Sequence, residues 1–190
     1  MHTRLAEAMK YVEEKRTDLL RKLEGADPGV MAQRPSADKW SVAEVLDHLQ
    51  MVESGVARLI AKRVTRAREG GLRKEESTES IIGSIDFMGP TLDNAPIEAP
   101  EQVRPRADAD PEKALAALAA ARQSLHEAVA IADGFALGEI KHTHAILGEL
   151  DLYQWIVFLG RHEARHTRQI ERTLKSFSTA PTRQLPITTS

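Results

Sequence analysis

The sequence predicts an all-α four-helix bundle, and three observations carry that prediction. Four long segments repeat apolar residues with a 3.6-residue period, no segment makes a convincing strand, and Gly and Pro break the stretches between the helices.

The first helix is read from the stripe Leu5, Met9, Val12, Leu19, Leu20 and Leu23 and closes at Gly25. Asp27, Pro28 and Gly29 then mark a turn. The second helix has complete start signals: Ser41 as N-cap, Glu44 three residues on as capping-box partner, and Trp40 placed to staple onto Val45. It buries Val45, Leu49, Val52, Val56, Leu59 and Ile60 and ends in Lys62, Arg63, Arg66 and Arg68 before Gly70 and Gly71. Cations suit the C-terminal end of a helix dipole, so this run reads as a solvated helix end ahead of a phosphate-binding patch.

From Leu72 to Ala109 the periodicity fails, with Gly83, Gly89, Pro90, Pro96, Pro100 and Pro105 interrupting it. This is a long crossover connection with room for a short helix near 81–87, and connections of this length usually cross the fold or cover a site. Asp110 as cap and Pro111 at the first position open a third helix through Leu115, Leu118, Leu125 and Val129, which stops at Asp133 and Gly134. After an irregular stretch over 135–150, Asp151 with Gln154 caps a fourth helix whose apolar face is Leu152, Trp155, Ile156, Leu159, Ile170 and Leu174. Residues 1–175 read as one domain, and the polar stretch from Ser176, with Pro181 and Pro186, reads as a flexible tail over 176–190.

Length and composition fit that reading. At 190 residues and 42% hydrophobic content there is enough chain for one real core. A net charge of -2 creates no field that favours nucleic acid or an anionic lipid surface. The absence of cysteine excludes disulfides, thiolate metal sites and a cysteine nucleophile together. No stretch approaches the roughly 20 apolar residues of a membrane span, and the N-terminus lacks the apolar core of a signal peptide. The default expectation is a soluble cytoplasmic protein.

The chemistry concentrates in His162, Glu163, Ala164, Arg165 and His166. Two imidazoles four residues apart lie about 40° apart on a helix, here on the side of Trp155 and Leu159, so both face the core. Neutral imidazole ligates zinc, nickel, iron or copper, and an i, i+4 pair supplies two ligands from one rigid element. Glu163 falls within the arc of Leu152, Ile156 and Ile170, where a carboxylate needs a partner or water. It could orient a ligating histidine, act as general base toward water, or snorkel to solvent at the helix edge. Two histidines under-ligate a metal, and His48, in register with Val45 and Val52 and with Gly55 two turns on, is the best third donor. A lone histidine among apolar residues is more often a satisfied core residue, but the inward pair elsewhere favours the ligand reading. His142 and His144 could line the mouth of the site or be solvated, and His126 and His2 are assigned no role.

His-Glu-x-x-His is also the zinc metalloprotease signature. The metzincin extension would need glycine at Gln169 and histidine at Arg172, and the only acidic residue after His166, Glu171, belongs to the same helix. A protease of that kind is therefore disfavoured.

Trp40, Ser41, Val42, Ala43, Glu44, Val45, Leu46, Asp47 and His48, followed by His162 and His166 within HEARHTRQI, resemble the DinB/YfiT-like superfamily of four-helix-bundle metalloproteins. His144 to Gly148 also looks like the family's short loop before the last helix, with alanine where a proline often follows that histidine. The resemblance covers about residues 3 to 175. It implies a divalent metal on His48, His162 and His166 with open positions, the arrangement of a catalytic site. Zinc, nickel, iron and manganese all accept imidazole.

The resemblance further implies a bacterial enzyme: a thiol-dependent S-transferase using a low-molecular-weight thiol cosubstrate, or a hydrolase with Glu163 as base. The alternative is a non-catalytic metal- or small-ligand-binding stress-response protein. Expected partners are a small-molecule substrate and, possible for such a bundle, a second copy in a homodimer, with neither nucleic acid nor membrane.

Overall fold

The four apolar stripes form four long helices in the computed structural model, which describes residues 1–88 and 98–178. These are α1 (Thr3–Leu23), α3 (Val42–Glu69), α4 (Pro111–Ala132) and α5 (Leu152–Ser178). The capping box that opens α3 is complete, with Ser41 Oγ accepting from the Glu44 backbone N–H and Glu44 accepting from that of Ser41. Asp151 and Gln154 make the same reciprocal pair at the start of α5.

Helix directions follow from which residues share a core. One buried cluster takes Leu5 to Val12 of α1, Val56 to Val64 of α3, Leu125 to Ala132 of α4 and Leu152 to Leu159 of α5. A second takes Leu19 and Leu23, Val42 to Leu49, Ala114 and Leu118, and Ile170. Helices α1 and α5 therefore run from the first cluster to the second, and α3 and α4 run the other way. Because α3 and α4 are parallel and packed together, the chain between them must travel the length of the bundle, which explains the long crossover.

Between the two clusters each long helix contributes one charged residue: Arg16, Glu53, Arg122 and Glu163, none more than 8% exposed. Arg16 donates through Nε to Glu163 (2.5 Å) and through Nη2 to Glu53 (2.6 Å). Arg122 donates through Nε to Glu53 (2.5 Å) and through Nη2 to Glu163 (3.1 Å). Each carboxylate bridges both guanidiniums, and the four formal charges cancel.

Three expectations are corrected. The Asp27-Pro28-Gly29 turn is the start of a short helix, α2 (Pro28–Ala32), because the Asp27 carboxylate caps the Val30 N–H and Pro28 suits the first position. The irregular stretch before α5 contains an antiparallel hairpin, β1 (Lys141–His144) and β2 (Gly148–Asp151), paired Lys141↔Asp151 through His144↔Gly148. Its strands are four residues long, and β1 mixes Lys, His and Thr on an exposed and half-buried pattern, so no apolar alternation announces it. Gly148 sits at φ 78°, which the hairpin turn requires and which favours glycine. Finally, α5 continues through Ser178, so the first three residues assigned to the tail are helical. The rest of that tail, 179–190, lies outside the described residues.

The short helix expected near 81–87 is a 3-10 segment, Ile82–Met88. Two of the four cations ending α3 have internal partners: Arg63 bonds His142, and Arg68 lies 5.0 Å above the Phe135 ring. Among the described residues no helix is long and apolar enough to cross a membrane.

Candidate metal centre

His48 projects from the capped start of α3, and His162 and His166 lie one turn apart on α5. Their available nitrogens lie within 4.8 Å of one another. No other group of three or more His, Cys, Asp or Glu among the described residues converges in this way. Nε2 of His48 and Nε2 of His162 are 3.1 Å apart. Two imidazole nitrogens on a tetrahedral zinc at about 2.05 Å stand roughly 3.3 Å apart, so the spacing fits two ligands on one cation.

The outer bonds orient these rings. His48 donates through Nδ1 to the Val103 carbonyl (2.6 Å), and His166 donates through Nδ1 to Gln169 Oε1 (2.8 Å). An imidazole that donates from Nδ1 presents the Nε2 lone pair, the form a metal ligand needs. Trp40, which packs against the cluster containing Val45 as its staple position predicts, also flanks His48 with ring centroids 5.2 Å apart.

All three rings favour the neutral state. Burial lowers His48, opposed by the Val103 bond. Burial and then its histidine neighbours hold His162 well below the usual range. Burial and the neighbouring His48 bring His166 down to about 3. Neutral imidazoles grouped without a carboxylate suit a soft or borderline divalent cation better than calcium or magnesium.

The site opens into a cavity of about 1100 Å³ between α3, α5, the hairpin and the crossover. Apolar walls come from Val52, Val56, Leu59, Trp155 and Phe158. Crossover residues Glu98 to Arg104 cover one side. Asp47, fully buried next to His48, anchors that cover by accepting the Arg106 backbone N–H (2.9 Å) and its Nη2 (2.6 Å). Burial pushes the Asp47 carboxyl up, but the bonds from Arg106 outweigh it and the net shift is downward.

The structure thus brings His48, His162 and His166 together. Glu163 it places elsewhere, in the charged layer, with one oxygen on Arg16 and the other on Arg122. It is not among the residues that line the cavity. His142 and His144 do line it, whereas His126 lies at the surface beside Glu13. Sequence reasoning did not find Val103, Gln169 and Asp47 as supports, since two of them act through contacts that only the crossover's path creates.

The comparisons agree with this architecture. The YuaE protein of Bacillus subtilis (strain 168) is 27% identical over 168 residues, covering 86% of this chain and 94% of that one. The crystal structure of TT2238, a four-helix bundle protein, superposes with a TM-score of 0.57 at 23% identity, over 87% of this chain and 95% of that one, a likeness of fold. The DinB superfamily profile matches residues 11–170, a span that holds all three converging histidines and every long helix in whole or in large part, and the chain belongs to the DinB superfamily.

Proposed function

We propose that this chain is a divalent-metal-dependent enzyme in which His48, His162 and His166 hold zinc, nickel, iron or manganese. The observation that carries the reading is the convergence of three imidazole nitrogens, two with Nδ1 already engaged as a donor, at the wall of an open cavity. A divalent cation held there supplies Lewis acidity, the chemistry that makes a thiol or a water nucleophilic at neutral pH.

Of the two reactions the family resemblance implies, transfer through a low-molecular-weight thiol is the better supported. Both Glu163 oxygens are committed to arginines, so a hydrolase would lack the base the sequence offers. The chain has no thiol of its own, so the cosubstrate must bring it. The cavity, at about 1100 Å³, is at the upper end of small-molecule sites and has room for two reactants. In this reading the Val103 carbonyl and Gln169 orient the ligating rings, the apolar wall excludes water, and Glu163 positions the helix that carries two of the three ligands.

Elemental analysis of protein purified without a metal-binding tag tests the reading. Near-stoichiometric divalent metal in the wild type, lost in both His48→Ala and His162→Ala, is the expected result. A wild type that neither retains metal nor takes it up would overturn the proposal and leave a non-catalytic ligand-binding bundle.

A further inference from the structure

Five histidines line one cavity, and hydrogen bonds divide four of them by which nitrogen carries the proton. His48 and His166 donate through Nδ1 and turn an Nε2 lone pair inward. On the hairpin the polarity is reversed. His144 Nδ1 accepts the backbone N–H groups of Ile146 (3.1 Å) and Leu147 (3.2 Å). His142 Nδ1 accepts from Arg63 Nη2 (2.7 Å), a guanidinium that can only donate. A neutral imidazole has one N–H, so an Nδ1 that accepts leaves the proton on Nε2. Both rings stay neutral: burial lowers His144, and burial followed by the charge of Arg63 lowers His142.

The two hairpin rings are therefore N–H donors at Nε2 with Nδ1 already accepting, so neither has a free lone pair to offer a metal. Among the described residues, no group accepts a hydrogen bond from either Nε2, and neither atom is sealed from solvent. Residues two apart on a strand share a face with Cα atoms about 7 Å apart. Both rings pack on Trp155, with centroids at 5.9 Å for His142 and 5.0 Å for His144. Trp155 Nε1 in turn donates to the His142 carbonyl (3.2 Å), fastening the strand to α5. His144 also meets Phe158 edge-on at 4.8 Å, and Phe158 stacks at 5.3 Å on His162. Two fixed, unspent donors thus stand beside an aromatic wall that runs directly to the ligating histidines.

We propose that His142 and His144 are a positioning pair whose Nε2–H groups bind a carboxylate or carbonyl oxygen of the substrate while its apolar body lies against Trp155 and Phe158. This names the substrate class for the enzyme reading and rests on that reading only for where the reacting end of the substrate goes. Neutral donors on a mostly apolar wall select an oxygen acceptor attached to a hydrophobic group.

Two measurements decide it. Long-range 1H–15N correlation spectra of the metal-free wild type near neutral pH read each tautomer directly. Nε2–H at His142 and His144, against Nδ1–H at His48 and His166, is expected, and Nδ1–H at His144 overturns the inference. Benzoate, an aromatic ring bearing one carboxylate, is then titrated calorimetrically into the zinc-loaded wild type, His142→Phe and His144→Phe. Phenylalanine keeps a ring against Trp155 and removes the donor.

Each change is expected to weaken benzoate about fivefold at unchanged zinc content. Unchanged affinity, or no benzoate binding by the wild type, overturns the inference. If the wild type takes up no zinc, the metal reading fails, and the same comparison on metal-free protein decides the positioning pair by the same criterion. His144→Phe also frees the Ile146 and Leu147 amides. Should that loosen the hairpin, His142→Phe carries the comparison alone, since its lost partner is a side chain.

Discussion

Replacing Glu163 by glutamine separates a clamp from a catalytic base. Glu163 is 3% exposed and accepts from Arg16 at 2.5 Å and from Arg122 at 3.1 Å. In the native layer two guanidiniums face two carboxylates. Glu163→Gln leaves two buried guanidiniums to share one buried carboxylate, Glu53, with only the more exposed Glu13 beside Arg122 (3.1 Å), and turns an amide N–H₂ toward an arginine. Breaking one partner of a buried ion pair costs about 3–5 kcal/mol, because the remaining charge keeps its desolvation penalty and loses its compensation. Against a typical domain stability of about 5–15 kcal/mol, a loss of about 3 kcal/mol is easily read as a lower urea midpoint in circular dichroism.

Metal content should be unchanged in Glu163→Gln, since His48, His162 and His166 keep all their bonds. Changing all four members together to Met and Leu should be tolerated far better than the single change, since apolar replacement of a whole buried ionic group is often neutral or stabilising. A Glu163→Gln protein within about 0.5 kcal/mol of wild type would refute the reasoning, because a charge removed from a surface-like setting is what produces so small an effect.

The folded state holds His166 down to about 3 through burial, whereas the unfolded chain returns it to its ordinary value near 6.5. Below that value the unfolded state binds more protons, so stability drops as the pH is lowered; His166 alone should remove about 2 kcal/mol on going from pH 7 to pH 5 in metal-free protein. An equal or higher urea midpoint at the lower pH would contradict this. At Gly160 an added Cβ would stand 2.5 Å from the Tyr11 ring, so α1 can approach α5 only over a glycine. Gly160→Ala should destabilise by about 1–2 kcal/mol through overpacking. In a Tyr11→Ala background the same change should stabilise by about 1 kcal/mol through helix propensity, and thermal unfolding of the four proteins checks both signs.

Much of the fold was legible because its signals are local. Ser41 with Glu44, and Asp151 with Gln154, announce helix starts through bonds made within four residues. The three converging histidines were legible for the same reason, since the i, i+4 spacing and the apolar register of His48 both survive in one dimension. The charged layer was only half visible. Arg16 stands between Val12 and Leu19 in the α1 stripe, and Arg122 between Leu118 and Leu125 in the α4 stripe, yet a single helix does not reveal which opposite charge it meets. Glu163 therefore looked equally suited to chemistry and to solvent. The hairpin was hidden because four half-exposed residues carry no usable period, and with it the donor character of His144, which depends on two backbone amides in its own turn.

The crossover that joins the parallel helices α3 and α4 has a consequence for how the protein becomes competent. His48 takes its orienting carbonyl from 55 residues downstream and meets His162 from 114 residues away. Contacts so distant in sequence form late, after local helices have closed shorter loops. Cobalt colour should therefore trail the recovery of helical circular dichroism on refolding, and simultaneous recovery would contradict that order. A chain whose crossover is not yet laid down is thus already helical while its three histidines stand apart, and on the proposed reading only finished molecules take up a cation.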